Sequence, residues 1–156
     1  MEQTDKEMLL NPLNSVKPNG ILGFRIGDTK EEVFSRIKTL GLLNDGEIMR
    51  GKQSVAAGIE NVGIGDLLIG KDMFSEISSI QLNINCFGLK TITVNIKCQQ
   101  SITPQQQLEQ FAIWVISITG KMPKPGSLFW DLDNNNLSLY YINSNEICLE
   151  FDKHLY

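Results

Sequence analysis

The histidine content limits the chemistry that this sequence can carry. The chain has one histidine, His154, and it lies close to the C-terminal end, where chains tend to fray. Hydrolase triads and most zinc sites depend on histidines that the fold holds in place. We therefore expect neither serine or cysteine hydrolase chemistry nor a typical zinc site, and we predict no metal and no cofactor.

Carboxylate pairs are the remaining route to catalysis, because the chain contains 18 Asp and Glu residues. Acid/base catalysis of this kind needs two carboxyl groups on either side of a substrate. The sequence places no two acids together in a defensible way. We therefore expect a protein that is not an enzyme, and keep small-ligand binding or a carboxylate-based enzyme as an alternative.

Two stretches partly match known ligand-binding loops. Residues 65–71 match the start of a phosphate-binding loop, but Asp72 stands where Ser or Thr would hold magnesium. Residues 131–135 resemble the start of a calcium loop, but Asn136 and Ile142 replace its glycine and glutamate. The apolar interior of the first stretch favours a strand, and the Asp and Asn residues of the second favour a turn between strands.

Charge and hydropathy narrow the partners and the location. The formal net charge is −4, and the 14 Lys and Arg residues are scattered along the chain. Nucleic-acid binding usually requires a basic stripe, so we expect no nucleic acid and predict another protein as the partner. The absence of an apolar run of about 18 residues predicts no transmembrane segment. We expect a cytoplasmic protein as the chain stands, or a periplasmic or envelope protein if a leader was removed.

The chain is predicted to contain one domain with two capped helices. Residues 1–19 are predicted to be a flexible N-terminal tail, and residues 20–156 a single α+β domain. A helix is expected at 29–40, capped by Asp28 with Glu31 and stopped by Gly41. Another is expected at 104–119, capped by Thr103 with Gln106 and stopped by Gly120.

Alternating apolar and polar residues predict the strands. We expect strands at 80–86, 91–98, 128–132, 137–142 and 146–152, and short strands near 58–62 and 66–69 in the glycine-rich stretch 42–76. A three-residue loop at 88–90 would place Ile84 opposite Val94 and Leu82 opposite Ile96. Another at 143–145 would pair Leu139 with Leu149, Tyr141 with Ile147 and Leu137 with Phe151. The fold class is thus α+β, with two helices on one face of an antiparallel sheet and a helix-plus-strands pattern that occurs twice.

The cysteines are predicted to be free and structural. Cys86, Cys98 and Cys148 are odd in number and form no C-x-x-C motif. In the predicted register Cys86 faces Ile92 and Cys98 faces Ile80, so the two sulfurs lie at opposite ends of the hairpin. We expect them to be small buried residues.

The polar side of the strands is the candidate binding site. It collects neutral hydrogen-bonding side chains with few charges, and such residues are common in adaptable recognition surfaces. The predicted binding residues are Gln81, Asn83, Asn85, Thr93, Asn95, Ser138 and Tyr140.

Residues 21–33, Ile-Leu-Gly-Phe-Arg-Ile-Gly-Asp-Thr-Lys-Glu-Glu-Val, carry a short motif. The stretch resembles small exported bacterial domains in which a strand and a G-x-T/S-x-x-E-V phrase open a helix that packs on an antiparallel sheet. The lipoprotein subunit of the outer-membrane assembly machine and the β-lactamase inhibitor proteins are similar. The resemblance implies a binding domain, often exported, and no site residues.

These observations lead to two main functional hypotheses. The first is a non-catalytic protein-binding domain of inhibitor or immunity type, for which the net acidity would suit a basic partner. The alternative is an accessory domain of the bacterial envelope, tethered through its N-terminal segment.

Overall fold

The helices and strands alternate along the chain in an α+β arrangement, as predicted. The computed structural model describes residues 3–143 and 145–154. Within this part of the chain, the helices are α1 (Asp5–Leu10), α2 (Lys30–Leu40), α3 (Asp45–Val62) and α4 (Pro104–Thr119), and a 3₁₀ helix spans Pro12–Ser15. The strands are β1 (Gly20–Ile21), β2 (Phe24–Arg25), β3 (Ile64–Ile69), β4 (Ile77–Asn85), β5 (Gly88–Lys97), β6 (Phe129–Asp131), β7 (Asn135–Asn143) and β8 (Glu146–Lys153).

Six of the strands form one antiparallel sheet, which confirms the predicted sheet type. Their order is β3-β4-β5-β8-β7-β6, and β1 pairs with β2 in a separate two-stranded sheet. Each half of the large sheet is a meander, and the two meanders meet where β5 pairs with β8. None of the described helices is long and apolar enough to cross a membrane.

The core lies between the apolar side of the sheet and the helices. Alternate residues of the central strands are fully buried, including Leu82, Val94 and Leu149. Burial of these side chains supplies the main favourable term in folding, at about 25 cal/mol per Å² of apolar surface. The helices contribute apolar stripes at helical spacing, namely Val33, Phe34, Ile37 and Leu40 of α2, Ile48 and Val55 of α3, and Leu108, Ala112 and Val115 of α4.

The N-terminal segment, which we predicted to be a flexible tail, contains two short helical elements in its described part. Ser15 and Val16 are buried, and the Ser15 hydroxyl accepts a hydrogen bond from the Leu22 backbone at 2.8 Å. Arg36 of α2 donates to the Leu22 carbonyl at 2.9 Å and lies 2.8 Å from the Asp5 carboxylate. The segment therefore lies against α2.

The cap of α2 differs by one residue from the prediction. Thr29 caps the helix, and its hydroxyl accepts from the Glu32 backbone while the Glu32 carboxylate accepts from the Thr29 backbone. These hydrogen bonds hold the pKa of Glu32 below its usual value. The predicted cap, Asp28, instead accepts from the Arg25 backbone at 2.9 Å and closes the preceding turn. Asp and Thr are both favoured helix caps. Because the Asp28 side chain is used in the preceding turn, Thr29 becomes the cap.

We expect Thr29→Ala to lower the free energy of unfolding by about 1 kcal/mol, because it leaves the first turn of α2 without its cap. Thr39→Ala is the matched control, since Thr39 lies exposed near the other end of the same helix and should change stability by less than about 0.5 kcal/mol. Urea denaturation measures both. Equal effects would contradict the assignment of the cap.

Helix α3 replaces the predicted strand at 58–62. Asn44 and Glu47 form a capping box at its start, and Gly63 ends it in a left-handed conformation with φ of 82°. The glycines that favoured a loop are contact points for the sheet. A Cβ atom on Gly58 would lie 2.7 Å from the Ile64 carbonyl oxygen, and one on Gly51 would lie 3.0 Å from Leu67. The short strand predicted at 66–69 exists as β3, so residues 65–71 form a strand and a turn.

The register of the first hairpin also differs from the prediction. Val94 lies opposite Ile80, and Leu82 lies opposite Ile92. The Asn85 side chain accepts from the Phe87 backbone at 2.8 Å, so the turn forms at 86–87 and not at 88–90. The register shifts again at two irregularities in β4, between Ile77 and Ser79 and between Asn83 and Ile84. In the middle of the hairpin the observed pairing is shifted by an even number of residues from the predicted pairing. Because side chains alternate between faces, an even shift leaves each residue on its predicted face.

The observed register changes the predicted places of two cysteines, because Ile80 pairs with Val94 and not with Cys98. Cys86 lies exposed in the turn and does not face Ile92, whereas Cys98 is half-buried and Cys148 is fully buried. All of these cysteines are free thiols.

The C-terminal half matches the prediction closely. Leu139 pairs with Leu149, Tyr141 with Ile147, and Leu137 with Phe151. Helix α4 has the predicted bounds, with the Thr103–Gln106 capping box at its start and Gly120 at its end. Of the predicted turn at 143–145, Ser144 lies outside the described residues. Residues 132–134 form the predicted turn between strands β6 and β7.

Candidate functional site

The described helices α2, α3 and α4 lie on the same side of the large sheet. A Cβ atom on Gly65 would lie 2.5 Å from the Val55 carbonyl oxygen of α3. A Cβ atom on Gly51 of α3 would lie 3.0 Å from Leu67 of β3 and 3.4 Å from Phe34 of α2, so all three elements meet there. On the α4 side, the Tyr141 hydroxyl lies 3.2 Å from the Gln105 side chain. The opposite side of the sheet therefore faces away from these helices.

We call this second side the open face and define it by the alternate residues of the paired strands. Its members alternate along each strand with the buried apolar residues, so they lie on the other side of the sheet. They are Ile64, Asp66, Leu68, Ser79, Gln81, Asn83, Asn85, Thr91, Thr93, Asn95, Lys97, Phe129, Asp131, Asn136, Ser138, Tyr140, Glu146, Cys148, Glu150 and Asp152.

The register brings the predicted site residues into rows across the strands. All seven lie on the open face, where Tyr140 is exposed and the other six are half-buried. One row joins Gln81 and Thr93 to Ser138 through Glu150 of β8. A second row joins Asn95 to Tyr140 through Cys148. Asn85 lies apart from these rows, at the end of its strand beside the turn.

The open face is more acidic than the sequence indicated. Besides Glu150, the register places Asp66, Asp152 and Glu146 on this side, and Lys97 pairs with Glu146 at its end. The alternation within β8 carries this signal, because Glu146, Glu150 and Asp152 all lie out of phase with its apolar residues. The prediction of few charges on this side is wrong, because several acids and Lys97 lie there.

Hydroxyl groups hold two of these carboxylates in place. The Glu150 Oε1 atom accepts from the Tyr140 hydroxyl at 3.3 Å and from the Thr93 hydroxyl at 3.5 Å. The Asp152 Oδ1 atom accepts from the Thr91 hydroxyl at 3.1 Å. Each carboxylate keeps its second oxygen outside these bonds, so each can accept further hydrogen bonds from a ligand.

The centre of the open face contains two groups that resist ionisation. Burial raises the pKa of the Cys148 thiol to about 11, and the nearby Glu150 charge adds to the effect, while a hydrogen bond with Tyr140 opposes it. Burial, followed by Cys148 and Glu150, raises the pKa of Tyr140 well above its ordinary value. Tyr140 therefore stays a neutral hydrogen-bond donor at physiological pH.

The Asn95 side chain adds an acceptor beside this pair. Its Nδ2 atom donates to the Ser79 hydroxyl at 3.1 Å, and its buried Oδ1 atom has no hydrogen-bond partner among the described residues. An unpaired buried acceptor costs about 1–3 kcal/mol, which a donor could recover. The Asn95 Oδ1 atom is thus a further acceptor on the open face, beside the carboxylates of Glu150 and Asp152.

The raised pKa of Cys148 predicts a loss of stability in alkaline solution. The thiol ionises near pH 9 when the chain is unfolded and near pH 11 when it is folded. Between these values the unfolded state binds fewer protons, so the free energy of unfolding falls as pH rises, by an amount on the order of 2 kcal/mol.

Denaturation at pH 8 and at pH 11 under reducing conditions measures this loss. Cys148→Ala should reduce it, whereas the matched control Cys86→Ala, which removes an exposed thiol, should leave it unchanged. If both variants lose the same amount as the natural protein, burial of Cys148 is not the cause.

The remaining polar clusters offer less to a ligand. Within the described residues, no group of three or more His, Cys, Asp or Glu side chains is placed to hold a metal ion. His154 lies at the margin of the sheet, with its Nε2 atom 3.2 Å from the Asp131 carboxylate. A groove of about 660 Å³ runs between α2 and α3, where Lys30, Lys38 and Lys52 lie beside Glu31 and Asp45.

Comparison of the chain with protein-family models, curated proteins and solved structures finds no match.

Proposed function

We propose that the protein is a non-catalytic binding domain of inhibitor or immunity type, which engages another protein through the open face. The observation that carries this proposal is a six-stranded sheet with its described helices on one side and an ordered polar network on the other. A sheet surface fixed by cross-strand pairs is rigid, and a rigid surface loses little entropy when it binds. Tyr140 supplies an aromatic anchor that is 40% exposed.

Charge indicates the chemistry of the partner. The open face carries the carboxylates of Asp66, Glu150 and Asp152, and two of them are held by neighbouring hydroxyls. Complementary charge speeds encounter and rejects wrong partners. We therefore infer a partner that presents Lys or Arg side chains, and the same acidity disfavours a nucleic-acid phosphate backbone.

The alternative of a bacterial envelope domain stays open on one observation. The N-terminal segment lies against α2 through the contact of Asp5 with Arg36, on the helical side of the sheet. A tether at this end would leave the open face free. The resemblance of residues 21–33 to exported binding domains is compatible with both settings.

We further infer that the two halves of the domain are versions of one helix-plus-strands unit. The support is the sheet order. Counted outwards from the central β5–β8 pair, the strands of the two halves correspond in chain order, β5 to β8, β4 to β7 and β3 to β6. Helix α4 precedes the second meander as α2 and α3 precede the first.

Affinity capture from the source cells, followed by a binding measurement with the purified partner, tests the proposed function. Tyr140→Ala and Asn83→Ala should each weaken binding by about tenfold, which corresponds to about 1.4 kcal/mol. Lys38→Ala is the control, because Lys38 is exposed on α2 and lies on the other side of the molecule. Unchanged affinity in both open-face variants would show that the open face is not the interface.

A further inference from the structure

We propose that strand β3 receives an extended segment of the partner, which pairs with its free edge and adds a seventh strand to the six-stranded sheet. This inference deepens the proposed function and rests on it for the basic character of the partner. Addition of a strand to a sheet edge is a common mode of peptide recognition, in which backbone hydrogen bonds supply affinity and alternate side chains supply specificity.

The two edges of the sheet differ in their protection. At the β6 edge the strand has three residues, the Phe129 carbonyl accepts from the Lys124 backbone at 2.8 Å, and the Trp130 indole donates to the Lys121 carbonyl at 3.0 Å. The chain before β6 therefore covers that edge. At the other edge, β3 pairs with β4 alone, and no described residue outside β4 hydrogen-bonds to its backbone.

Apart from the charge of Asp66, strand β3 lacks the features that protect natural edge strands. Its six residues pair with β4 from Ile64 to Ile69 without a bulge. It contains neither lysine nor proline, and Leu68 is 48% exposed on the open face. A regular, uncovered edge of this kind is a template for another strand.

A second copy of this chain does not fit the edge. Antiparallel pairing of β3 with itself needs a two-fold axis perpendicular to the sheet, so the two α3 helices would lie on the same side. Helix α3 packs directly above β3, because Val55 meets Gly65 and Gly58 meets Ile64. Neighbouring strands lie about 4.8 Å apart, whereas packed helices need about 8–10 Å between their axes.

The occupant is therefore a strand that carries no helix above it. Side chains on one side of this strand extend the open face, next to Asp66 and Leu68. A basic residue beside the Asp66 carboxylate and an apolar residue beside Leu68 complement these two neighbours. We infer an extended, basic segment of a partner protein, with its lysine or arginine side chains on the side of the open face.

Binding of a synthetic ten-residue peptide that alternates lysine and valine tests this inference on the full chain. Two further peptides carry methyl groups on the backbone nitrogens of the lysines or of the valines, which blocks strand pairing and keeps the charge. We expect at least one methylated peptide to bind about tenfold more weakly. We also expect alternate amides of β3 to exchange more slowly with solvent when the unmodified peptide is bound.

Protein variants locate the peptide on the sheet. Leu68→Lys should weaken binding by about tenfold, because it adds a positive charge to the edge, while Thr39→Ala, which changes an exposed neutral residue of α2, should not. Equal binding of all the lysine peptides would overturn the edge inference and leave the open face as a charge-driven site. Failure of every peptide to bind, or a dimer of the free protein that Leu68→Lys dissociates, would also overturn it. The proposed function is judged separately, by the affinity of the captured partner for the open-face variants.

Discussion

Replacing Gly65 by alanine is expected to lower the free energy of unfolding by about 3 kcal/mol, which is at the upper end of the usual cost of overpacking. A Cβ atom at this position would lie 2.5 Å from the Val55 carbonyl oxygen and 2.7 Å from its Cα atom. Both atoms belong to the backbone of α3, so the helix has to move away from the sheet. Without this contact the sign would be opposite, because alanine is favoured over glycine inside a strand by about 0.5–1 kcal/mol.

Gly46→Ala is the matched control for this prediction. Gly46 lies in the first turn of α3, and the nearest atoms to an added Cβ are 3.5 Å away, on flexible side chains. Alanine should stabilise the helix there by about 0.5–1 kcal/mol. Chemical denaturation measures both variants, and a Gly65→Ala protein as stable as the natural one would show that α3 does not pack on β3 at this position.

Reversing two charges on the open face is expected to have the largest effect on binding. Glu150→Lys combined with Asp152→Lys should weaken the complex with the captured partner by about a hundredfold, or about 3 kcal/mol. The change turns two ordered acceptors into cations, and a like charge facing a basic partner costs several kcal/mol. The association rate should fall most at low salt, where charges are least screened.

A double variant with the same change in net charge separates the surface from the overall charge. Glu31→Lys with Glu60→Lys replaces two exposed acids of the helices. Affinity should fall far less in this control, as surface plasmon resonance at two salt concentrations can show. If both double variants weaken binding equally, the interaction depends on net charge and not on the open face.

Local signals made the central strands, the second half of the chain and α4 predictable. The Thr103–Gln106 capping box and Gly120 define α4, and these act within a few residues. Alternation in β7 and β8 fixed both the faces and the pairing of Leu139 with Leu149. No long-range information was needed for either element.

Helix α3 was missed because its glycines serve a tertiary contact. Gly51 and Gly58 weaken the helical pattern, and each is explained by the closeness of β3, which local sequence does not encode. The capping box of Asn44 with Glu47 was the available signal. The register of the first hairpin was missed for a similar reason, since the Asn85 side chain selects the turn over an alternative that buries the same residues.

The candidate site was predictable in its face but not in its charge. Parity along each strand placed Asn83, Thr93 and Tyr140 on one side, which the register of the large sheet shows. Alternation within β8 places Asp152 on a polar side, but only the strand order brings that side, and Asp66 of β3, next to the predicted residues. The composition of this surface depends on the order of six strands, which the local sequence pattern does not determine.

Cross-saturation NMR of the labelled protein in complex with its captured partner tests the central claim most directly. This measurement transfers magnetisation from the partner to the residues that touch it. Attenuation should centre on Asn83, Thr93, Asn95, Glu150 and Tyr140, and should spare exposed residues of α2 such as Lys38. Attenuation confined to the helices, with no change at these five residues, would contradict the account.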